Sequence, residues 1–431
     1  GLGNIWRFPY LAAKYGGGIF LLVYIILALT FGYTLIMAET SLGRMTRKSP
    51  VGAFESFGNS RFISIGGWIN AIIPILIVPY YSVIGGWVIK YLIEYFAGHS
   101  KTLAGDAYFT TFISNGWSTE ICFIIFTLFT LGIIYAGVRN GIERVSKFMM
   151  PILIVLSLII AVYSVTRPGA IEGVKYFLVP NFDHFSWMTV VSAMGQMFYS
   201  LSIAMGILIT FGSYMKKDTS IEKSTENVEI FDTAIAIMAG LMIIPAVFAF
   251  SGGNAETLKS GPALMFITIP KVFANMGFGT AIGVVFFLLV LFAAVTSSIA
   301  LTESAVSTFE DELLWSRKKS TVFMGMVMLL LGTLSCLGYG PLANFKILGM
   351  QFLDFFDFIT NSVMMPIAAI ATCLLVSKVV GVDKIEEEIK KDGQAFRRKK
   401  IFCFMIKYLC PLFAAIILIS SVANAFGIIT M

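Results

Sequence analysis

Long apolar runs separated by short polar loops dominate the pattern of this chain. A membrane-spanning helix needs about 20 largely apolar residues to cross the hydrocarbon core. The runs therefore predict spanning helices at Ile19–Leu42, Phe62–Phe96, Ile121–Gly137, Phe148–Val165, Thr189–Tyr214, Phe231–Phe250, Phe278–Phe309, Thr321–Leu337, Phe352–Val379 and Ile401–Ile429. Because the apolar residues are continuous rather than alternating with polar ones, a β-barrel is excluded.

The chain opens on a shorter segment, Gly1-Leu2-Gly3-Asn4-Ile5-Trp6-Arg7-Phe8-Pro9-Tyr10, followed by a run of glycines. We interpret it as the second half of a spanning helix whose first half is missing, which raises the predicted number of spans to eleven. Glycines at the first and third positions lower the cost of an unwound backbone. The charge of Arg7 has to face a cavity or a partner inside the membrane.

The run from Thr189 to Tyr214 has a polar centre, Ser200-Leu201-Ser202-Ile203-Ala204-Met205-Gly206. One interpretation is an intact helix whose small residues pack against a neighbouring helix. The other is a helix broken at mid-membrane, whose freed backbone groups hold an ion or a solute. The opening segment favours the second, because breaks in helices 1 and 6 lie five spans apart, as an inverted repeat of five helices requires.

The predicted fold is an all-α polytopic membrane protein with a 5+5 inverted repeat. Residues 1–165 form the first repeat, residues 166–380 form the second with extracellular capping loops, and residues 381–431 form a cytoplasmic connector and helix 11. The loops at Val179–Trp187 and Asn254–Ala274 are predicted to cap an external vestibule. The charged stretch Asp383–Lys400 is interpreted as a solvated linker.

Composition narrows the class of protein. Of 431 residues, 57% are hydrophobic and 13% charged, which is more apolar surface than a soluble domain can bury. The net charge of +6 lies largely in short loops, so nucleic acid is not an expected partner. The five cysteines lie in apolar segments and imply no disulfide framework. His99 and His184 lie in loops without metal-ligand spacing, which disfavours a metal site or a histidine-based enzyme.

Basic residues in the loops predict the orientation. Taking alternate loops, one side holds most of the loop lysines and arginines, in the stretches 44–61, 139–147, 216–223, 317–319 and 378–400. An excess of positive charge marks cytoplasmic loops. The start of the chain is therefore predicted to be cytoplasmic and Met431 extracellular, in a multi-pass membrane protein.

Three motifs carry a resemblance to a known family. The opening Gly1–Pro9 segment, Gly195-Gln196 with Ser200-Leu201-Ser202, and Thr296-Ser297-Ser298 followed by Phe309–Leu313 resemble helices 1, 6 and 8 of the neurotransmitter:sodium symporter family. The resemblance covers essentially the whole chain, and eleven spans are similar to its bacterial branch. It implies the leucine-transporter fold and sodium-coupled amino-acid symport by alternating access.

The resemblance also implies two sodium sites. The first would use Asn4, Ser200 and Asp232, with Glu229 as the alternative acid. The second would use the carbonyl of Ala293 and the hydroxyls of Thr296 and Ser297, although such hydroxyls often bond back to their own helix. Chloride is not expected to be required, because Asp232 would supply the negative charge that chloride-dependent relatives borrow from the anion.

Substrate contacts follow from the same resemblance. The carboxylate of an amino acid would meet the helix 1 break and a tyrosine hydroxyl, the ammonium would meet carbonyls of helix 6, and the side chain would face helices 3, 6 and 8. The residues implied are Gly1, Leu2, Gly3 and Tyr81 for the carboxylate, Tyr199, Ser200 and Ser202 for the ammonium, and Ile77, Tyr199, Met205, Ser297 and Leu301 for the side chain.

Gates are implied on both sides of the site. Arg7 and Asp357 would close the external side, and Tyr214 and Asp311 would be the partners of a cytoplasmic latch supplied by residues before Gly1. The family pattern is broken at Ala204-Met205-Gly206, where Gly-x-Gly is more usual, so the backbone freedom of helix 6 is less certain than in its relatives.

A flexible methionine lies at position 205, where a family member selective for small aliphatic amino acids more often carries a rigid phenylalanine, and it favours a bulky substrate. We expect an aromatic amino acid, with branched aliphatic ones as the alternative. A rival function is a sensor or receptor that binds solute on the same fold without transporting it. An enzyme is disfavoured because the acids within the spans form no convincing pair: Glu39, Glu94, Glu303, Asp354 and Asp357. The protein is expected to be a monomer or a weak homodimer in the bilayer.

Overall fold

A computed structural model describes residues 2–252 and 264–429 of the chain. In these two stretches, nine helices are long and apolar enough to cross a membrane. They are α2 (Gly18–Thr46), α3 (Arg61–Phe96), α4 (Gly116–Tyr135), α5 (Val138–Val165), α7 (Ile221–Ser251), α8 (Gly279–Leu313), α9 (Arg317–Leu337), α10 (Phe352–Val380) and α11 (Lys399–Ala425). The helical membrane fold predicted from the apolar runs is confirmed.

Two further elements, α1 and α6, are irregular. The first begins with a π-helical stretch at Gly3–Arg7 and continues as an α-helix over Phe8–Lys14. The other consists of Trp187–Ser200 and Ile207–Gly212, joined by a non-helical turn at residues 201–206. The prediction of a break in α6 is confirmed, and the alternative of an intact helix packed by small residues is wrong.

Close contacts at glycines hold the long helices around this centre. A Cβ atom on Gly283 of α8 would lie 2.1 Å from the ring of Tyr95 on α3. A Cβ atom on Gly86 of α3 would lie 2.7 Å from the backbone nitrogen of Phe123 on α4. The absence of side chains at these glycines lets α3 approach both neighbours closely. Close packing matters in a bilayer because the hydrophobic effect does not drive helices together in lipid.

The helix ends differ from the predicted ones where polar residues extend an apolar run. The helix α7 begins at Ile221 rather than Phe231, and α5 begins at Val138 rather than Phe148. Their first turns contain charged residues, and helices continue through such residues once they leave the hydrocarbon core. Hydropathy records the apolar part of a helix and not its full length.

The loop at Val179–Trp187, predicted to cap an external vestibule, packs against the start of α2. It follows a short helix, Ile171–Leu178, and contains a single 3₁₀ turn, Phe182–His184. A Cβ atom on Gly18 would lie 2.3 Å from the carbonyl oxygen of Val179, so this loop presses on the start of α2. The second capping loop, Asn254–Ala274, lies partly outside the described residues, and its described end contains the helix Thr268–Ala274.

The interpretation of Asp383–Lys400 as a solvated linker is wrong. It contains a helix, Val382–Ile389, that packs against the end of α2. Glu388 of this helix is 3% exposed and forms an ion pair of 3.0 Å with Arg44, which is completely buried. Charge density in the sequence does not reveal that one face of this helix finds buried partners on other elements.

Candidate functional site

A cavity of about 80 Å³ lies between α1, α3, α6 and α8 at the level of the two irregular helices. Its wall consists of Gly3, Ile77, Tyr81, Tyr199, Ser200, Ser202, Met205, Ile207, Ser297 and Leu301. Every predicted substrate contact is in this wall except Leu2, which is buried elsewhere in the core, and Gly1, which lies outside the described residues. The sequence reasoning missed Ile207, although it directly follows the break.

The turn in α6 is built by three residues with left-handed backbone. Ser202, Ala204 and Gly206 have φ angles of 57°, 63° and 77°. Because residues with positive and negative φ angles alternate here, the chain leaves the helical path. Some N–H and C=O groups of residues 201–206 therefore have no hydrogen-bond partner within the helix. These freed groups, together with the hydroxyls of Ser200 and Ser202, form the polar side of the cavity.

A buried acid that the sequence reasoning left without a role holds this turn. Both carboxylate oxygens of Glu39 on α2 accept the backbone N–H of Ala204, at 3.1 and 3.3 Å. Glu39 is completely buried. The signal in the sequence was a lone carboxyl group within an apolar span, because such a group needs a partner inside the protein.

Two glycines are required by close approach at the cavity. A Cβ atom on Gly3 would lie 2.6 Å from the ring of Tyr199, so a side chain at this position would collide with that ring. A Cβ atom on Gly206 would lie 2.7 Å from the carbonyl oxygen of Asn70, and the positive φ angle of Gly206 would strain any side chain.

The three residues implied for a first sodium site lie together. The side-chain amide of Asn4 donates a hydrogen bond of 2.9 Å to Asp232, and the Ser200 hydroxyl donates to both Asn4, at 2.8 Å, and Asp232. A fourth member, the hydroxyl of Tyr24, was missed and donates to the other Asp232 oxygen at 2.6 Å. The alternative acid, Glu229, instead binds Arg398 at 2.8 Å.

The set implied for a second sodium site lies on one turn of α8. The Thr296 hydroxyl donates to the carbonyl of Ala293 at 3.0 Å and to that of Phe292 at 3.1 Å. Ser297 lies in the wall of the central cavity. The Thr296 hydroxyl is therefore next to the Ala293 carbonyl, and the threonine is bonded back to its own helix as the alternative interpretation expects.

The hydroxyl of Tyr81 is a polar handle in the central cavity. It is buried in the cavity wall beside Ser297, and within the described residues no partner meets full hydrogen-bond geometry with it. A buried tyrosine hydroxyl usually finds a partner. The position of this one makes it available to a polar group within the cavity.

Arg7 and Asp357 lie on the wall of an outer cavity of about 290 Å³. They do not form an ion pair with each other in the described part of the chain. The guanidinium carbon of Arg7 lies 5.5 Å from the ring centre of Tyr199, and Asp357 accepts hydrogen bonds from Tyr80, at 3.1 Å, and from Asn361. Tyr199 also lines the central cavity, so its ring separates the two spaces.

The opposite side of the site is held by hydrogen bonds. The hydroxyl of Tyr214 donates to Glu303 at 2.6 Å, and Arg317 forms an ion pair of 2.6 Å with the same carboxyl group. Asp311 accepts the backbone N–H of Ser49 at 2.7 Å. The two predicted gate residues are thus both engaged, and the completely buried Glu303 is the partner that sequence reasoning missed.

Comparisons with known proteins agree with this architecture. The family model described as the sodium:neurotransmitter symporter family matches residues 1–127 and 109–428. The chain is 32% identical over 433 residues to the uncharacterized sodium-dependent transporter YhdH of Bacillus subtilis, covering 100% of this chain and 94% of that protein. It is 30% identical over 438 residues to an uncharacterized sodium-dependent transporter of Haemophilus influenzae, covering 98% of this chain and 94% of that protein.

A solved structure shares the fold. The crystal structure of MhsT in complex with L-phenylalanine superposes with a TM-score of 0.87 and 33% sequence identity. The match covers 98% of this chain and 95% of that one.

Proposed function

Because the chain belongs to the sodium:neurotransmitter symporter family, we propose that it carries a hydrophobic amino acid into the cell together with sodium ions. Membership makes it a sodium-dependent membrane transporter with the leucine-transporter fold, and a secondary transporter rather than an enzyme. The observation that carries the proposal is the central cavity, where a broken helix, a tyrosine hydroxyl and apolar side chains meet.

The two ends of the cavity suit the two ends of an amino acid. At Gly3 a carboxylate can approach the backbone closely, and the Tyr81 hydroxyl can donate a hydrogen bond to it. The unwound turn after Ser200 offers carbonyl groups to an ammonium. Ile77, Met205 and Leu301 provide the apolar wall for the side chain. The pocket thus matches a small zwitterion with an apolar substituent.

Two sodium ions accompany the substrate in this proposal. The cluster of Asn4, Ser200 and Asp232 supplies oxygen atoms from three different helices, including one full negative charge. The second ion uses the carbonyl of Ala293 with the hydroxyls of Thr296 and Ser297, of which the first two lie 3.0 Å apart. Oxygen ligands suit a hard cation, and the fixed charge of Asp232 makes chloride unnecessary.

An aromatic substrate is favoured over a branched aliphatic one. Met205 can change rotamer to admit a larger group, and the Tyr81 and Tyr199 rings offer flat apolar faces. The similar protein MhsT was solved with L-phenylalanine. Ile77, Ile207 and Leu301 keep a leucine-like substrate as the second candidate.

We also propose the inner membrane of a bacterium, with the basic loops in the cytoplasm and the end of α11 outside. Arg7 and Asp357 then face the exterior and Glu303 the cytoplasm. A monomer or a weak homodimer is sufficient for this function, because the cavity is enclosed by helices of one chain.

Uptake into proteoliposomes tests the function. Radiolabelled phenylalanine is expected to accumulate under an inward sodium gradient and not under a potassium gradient. Binding without accumulation would identify the sensor instead.

Thr296→Ala combined with Ser297→Ala is expected to abolish sodium-dependent binding. Thr302→Ala combined with Thr308→Ala is the matched control, because these hydroxyls of the same helix also bond to backbone carbonyls one turn earlier. Unchanged sodium affinity in the first double variant would remove the second site.

A further inference from the structure

A third cavity, which shares no wall residue with the central one, lies between the beginning of α3 and the end of α10. It has a volume of about 530 Å³ and opens to the outside of the helix bundle. Its wall is formed by Phe54, Ser60, Phe62, Ile63, Ile65, Gly66, Ile69, Ile367, Ile370, Ala371, Leu374, Leu375, Lys378 and Val379. We call it the α3–α10 groove.

Apolar side chains of the groove face the surroundings of the protein rather than its core. Phe62 is 85% exposed and Leu374 is 48% exposed. The groove lies along two helices that are long and apolar enough to span a membrane. In the bilayer its surroundings are therefore lipid, and such a groove takes up a lipid chain instead of water.

The length of the groove matches one leaflet. Its wall extends along α3 from Phe62 to Ile69, which is seven steps of the helix, and along α10 from Ile367 to Lys378, which is eleven steps. At about 1.5 Å per residue these distances are roughly 10 and 16 Å. Half of a hydrocarbon core of about 30 Å is about 15 Å, so one acyl chain of one leaflet fits along it.

The floor of the groove is formed by a close crossing of the two helices. A Cβ atom on Gly66 of α3 would lie 2.9 Å from the ring of Phe54 and 3.0 Å from the Cβ atom of Ala371 on α10. Small residues at this point bring the helices together and leave the space above them to an outside ligand. The floor is thus built of Gly66, the Ala371 methyl group and the ring of the buried Phe54.

The mouth of the groove is positively charged. Lys378 is part of its wall, and Arg61 stands between the wall residues Ser60 and Phe62. Both side chains are exposed, and neither forms an ion pair with another described residue. The nearby acid, Glu55, accepts a hydrogen bond of 3.0 Å from Ser64.

Two further features of the mouth bear on its charge. Ser64 lies about 200° around the helix from Phe62, so the carboxyl group of Glu55 is held off the groove. The first turn of α3 also begins at this point, and the dipole of the helix adds a partial positive charge there, although the Ser60 hydroxyl accepts one of its N–H groups. Asp383 on the connector follows Gly381, whose φ angle of 88° turns the chain away from α10.

We propose that the α3–α10 groove binds an anionic phospholipid, with an acyl chain along the apolar wall and the phosphate between Arg61 and Lys378. Basic residues beside a groove between membrane helices attract anionic headgroups, with about 1 kcal/mol for each charge near the surface. The groove lies at the face that carries the basic loops, which is the cytoplasmic leaflet in the proposed orientation. Its charge and shape do not depend on that orientation or on the transport function.

Lipid retention measures the proposal directly. The full chain is purified into nanodiscs of mixed phosphatidylglycerol and phosphatidylcholine, and the lipids that remain bound are counted by native mass spectrometry. Phosphatidylglycerol is expected to be retained preferentially by the parent protein. Arg61→Gln with Lys378→Gln is expected to weaken that preference about fivefold for each charge removed. Arg139→Gln with Lys223→Gln, two exposed basic residues at the same face, is the matched control and keeps the preference.

A second pair of variants tests the groove itself. Leu374→Trp fills it and is expected to reduce retention of both lipids, whereas Leu412→Trp, at a residue of α11 that is 53% exposed, leaves retention unchanged. Equal retention of the two lipids by the parent, or an undiminished preference in the Arg61/Lys378 variant, would overturn the proposal. Dimers trapped through a Leu374→Cys cross-link would do so as well, because they would show a second copy in the groove. Lipid counting does not depend on uptake, so its failure is distinct from failure of the transport proposal.

Discussion

At the scale of single residues, the unwound turn of α6 shows which positions depend on glycine. Ala204 and Gly206 both have left-handed backbone. An alanine in that region costs about 1–2 kcal/mol, whereas a glycine adds about 0.5–1 kcal/mol of unfolded-state entropy. Because these terms oppose each other, Ala204→Gly is expected to change the free energy of unfolding by less than about 1 kcal/mol.

Gly206→Ala is expected to behave differently. Its new Cβ atom would lie 2.7 Å from the Asn70 carbonyl oxygen, so steric overlap adds to the backbone cost. We expect a loss of stability above about 2 kcal/mol and a loss of transport. Thermal unfolding in detergent measures both variants against the parent. Similar unfolding temperatures for the two variants would show that positions 204 and 206 do not differ in their need for glycine.

The charge of Asp232 gives a prediction about chloride. Asp232→Ser removes the carboxyl group that binds Asn4, Ser200 and Tyr24. Contacts between hydrogen-bonding groups and a full charge are worth about 1.5–3 kcal/mol, so sodium affinity is expected to fall about tenfold or more. Added chloride is expected to restore part of the uptake because it replaces the lost charge. Full uptake by this variant without chloride would exclude charge compensation at Asp232.

Met205 gives a prediction about substrate size. It is 3% exposed and lies in the cavity wall. Met205→Phe is expected to shift the preference from aromatic toward smaller aliphatic amino acids. Each methylene group of the substrate that no longer fits is expected to weaken its binding by about 1–3 kcal/mol. Competition for bound label by phenylalanine, leucine and alanine measures the order in both proteins. An order that is identical in parent and variant would mean that Met205 does not set the size limit.

The residues of the site could be predicted unequally. Asn4, Ser200 and most of the cavity wall were predicted because they lie in or beside distinctive motifs. Tyr24 and Glu39 were missed, although each binds a site residue, Asp232 or Ala204. Their roles depend on which face of α2 packs against α6 and α7. A membrane span that is apolar on all sides has no helical periodicity of polar and apolar residues, so its sequence does not predict which face is buried.

At the scale of elements, apolar runs predicted the helices, and glycine with hydroxyl residues predicted the break in α6. What the runs could not predict is the packing of polar elements outside the bilayer. The connector after α10 is the example, since Glu388 binds both Arg44 and Lys217 beneath the bundle. Hydropathy measures how favourably a segment transfers into lipid. It does not predict an ion pair between residues that are distant in the sequence and buried in the fold.

That contact predicts a pH-dependent stability. Burial disfavours the charged form of Glu388, but hydrogen bonds from Lys217, Lys391 and Arg44 outweigh it and lower its pKa. A carboxyl group whose pKa is lowered on folding stabilises the protein above its unfolded pKa, and this contribution disappears as the pH falls through the folded pKa. Glu388→Gln leaves Arg44 with an uncompensated charge and is expected to cost about 3 kcal/mol at neutral pH.

Thermal unfolding of parent and variant from pH 7 to about pH 3 checks this prediction, because the loss occurs below the ordinary pKa of glutamate, about 4.3. The difference between them is expected to shrink below the ordinary pKa of glutamate. Glu386→Gln is the control, because Glu386 also pairs with two lysines, at 2.8 and 2.5 Å, but at the exposed edge of the same helix. Exposed pairs contribute little, so an equal loss in the two variants would contradict a special role for the buried pair.

At the scale of the whole molecule, the two sides of the central cavity are held differently. On one side Tyr214, Glu303 and Arg317 form a connected network. On the other side Arg7 and Asp357 share the wall of an open cavity, with the ring of Tyr199 between them and the central one. Alternating access requires that one side close as the other opens, and because Arg7 and Asp357 are not yet paired, we predict that their side still has a closing step to make.

Closure of the outer side is predicted to bring Arg7 and Asp357 into contact. The helix α1 carries Arg7 beside its irregular start, α10 carries Asp357, and both side chains already face the same cavity. Reversal of either charge alone, Arg7→Glu or Asp357→Arg, would place like charges in the closing gate and is expected to reduce uptake more than tenfold. The exchange of both restores the opposite signs and is expected to recover a substantial part of it.

Initial rates of sodium-driven uptake measure the three variants, and substrate affinity measured in parallel separates gate closure from binding. The control is the exchange of Lys175 and Glu172, an exposed pair 3.8 Å apart on the short external helix, which is expected to leave uptake unchanged. Arg7 also lies over the ring of Tyr199 and Asp357 binds Tyr80, so each single variant loses a contact that the exchange does not restore. Recovery in the double variant can therefore come only from the charge pair, and a double variant no better than the singles would show that the two residues are not partners.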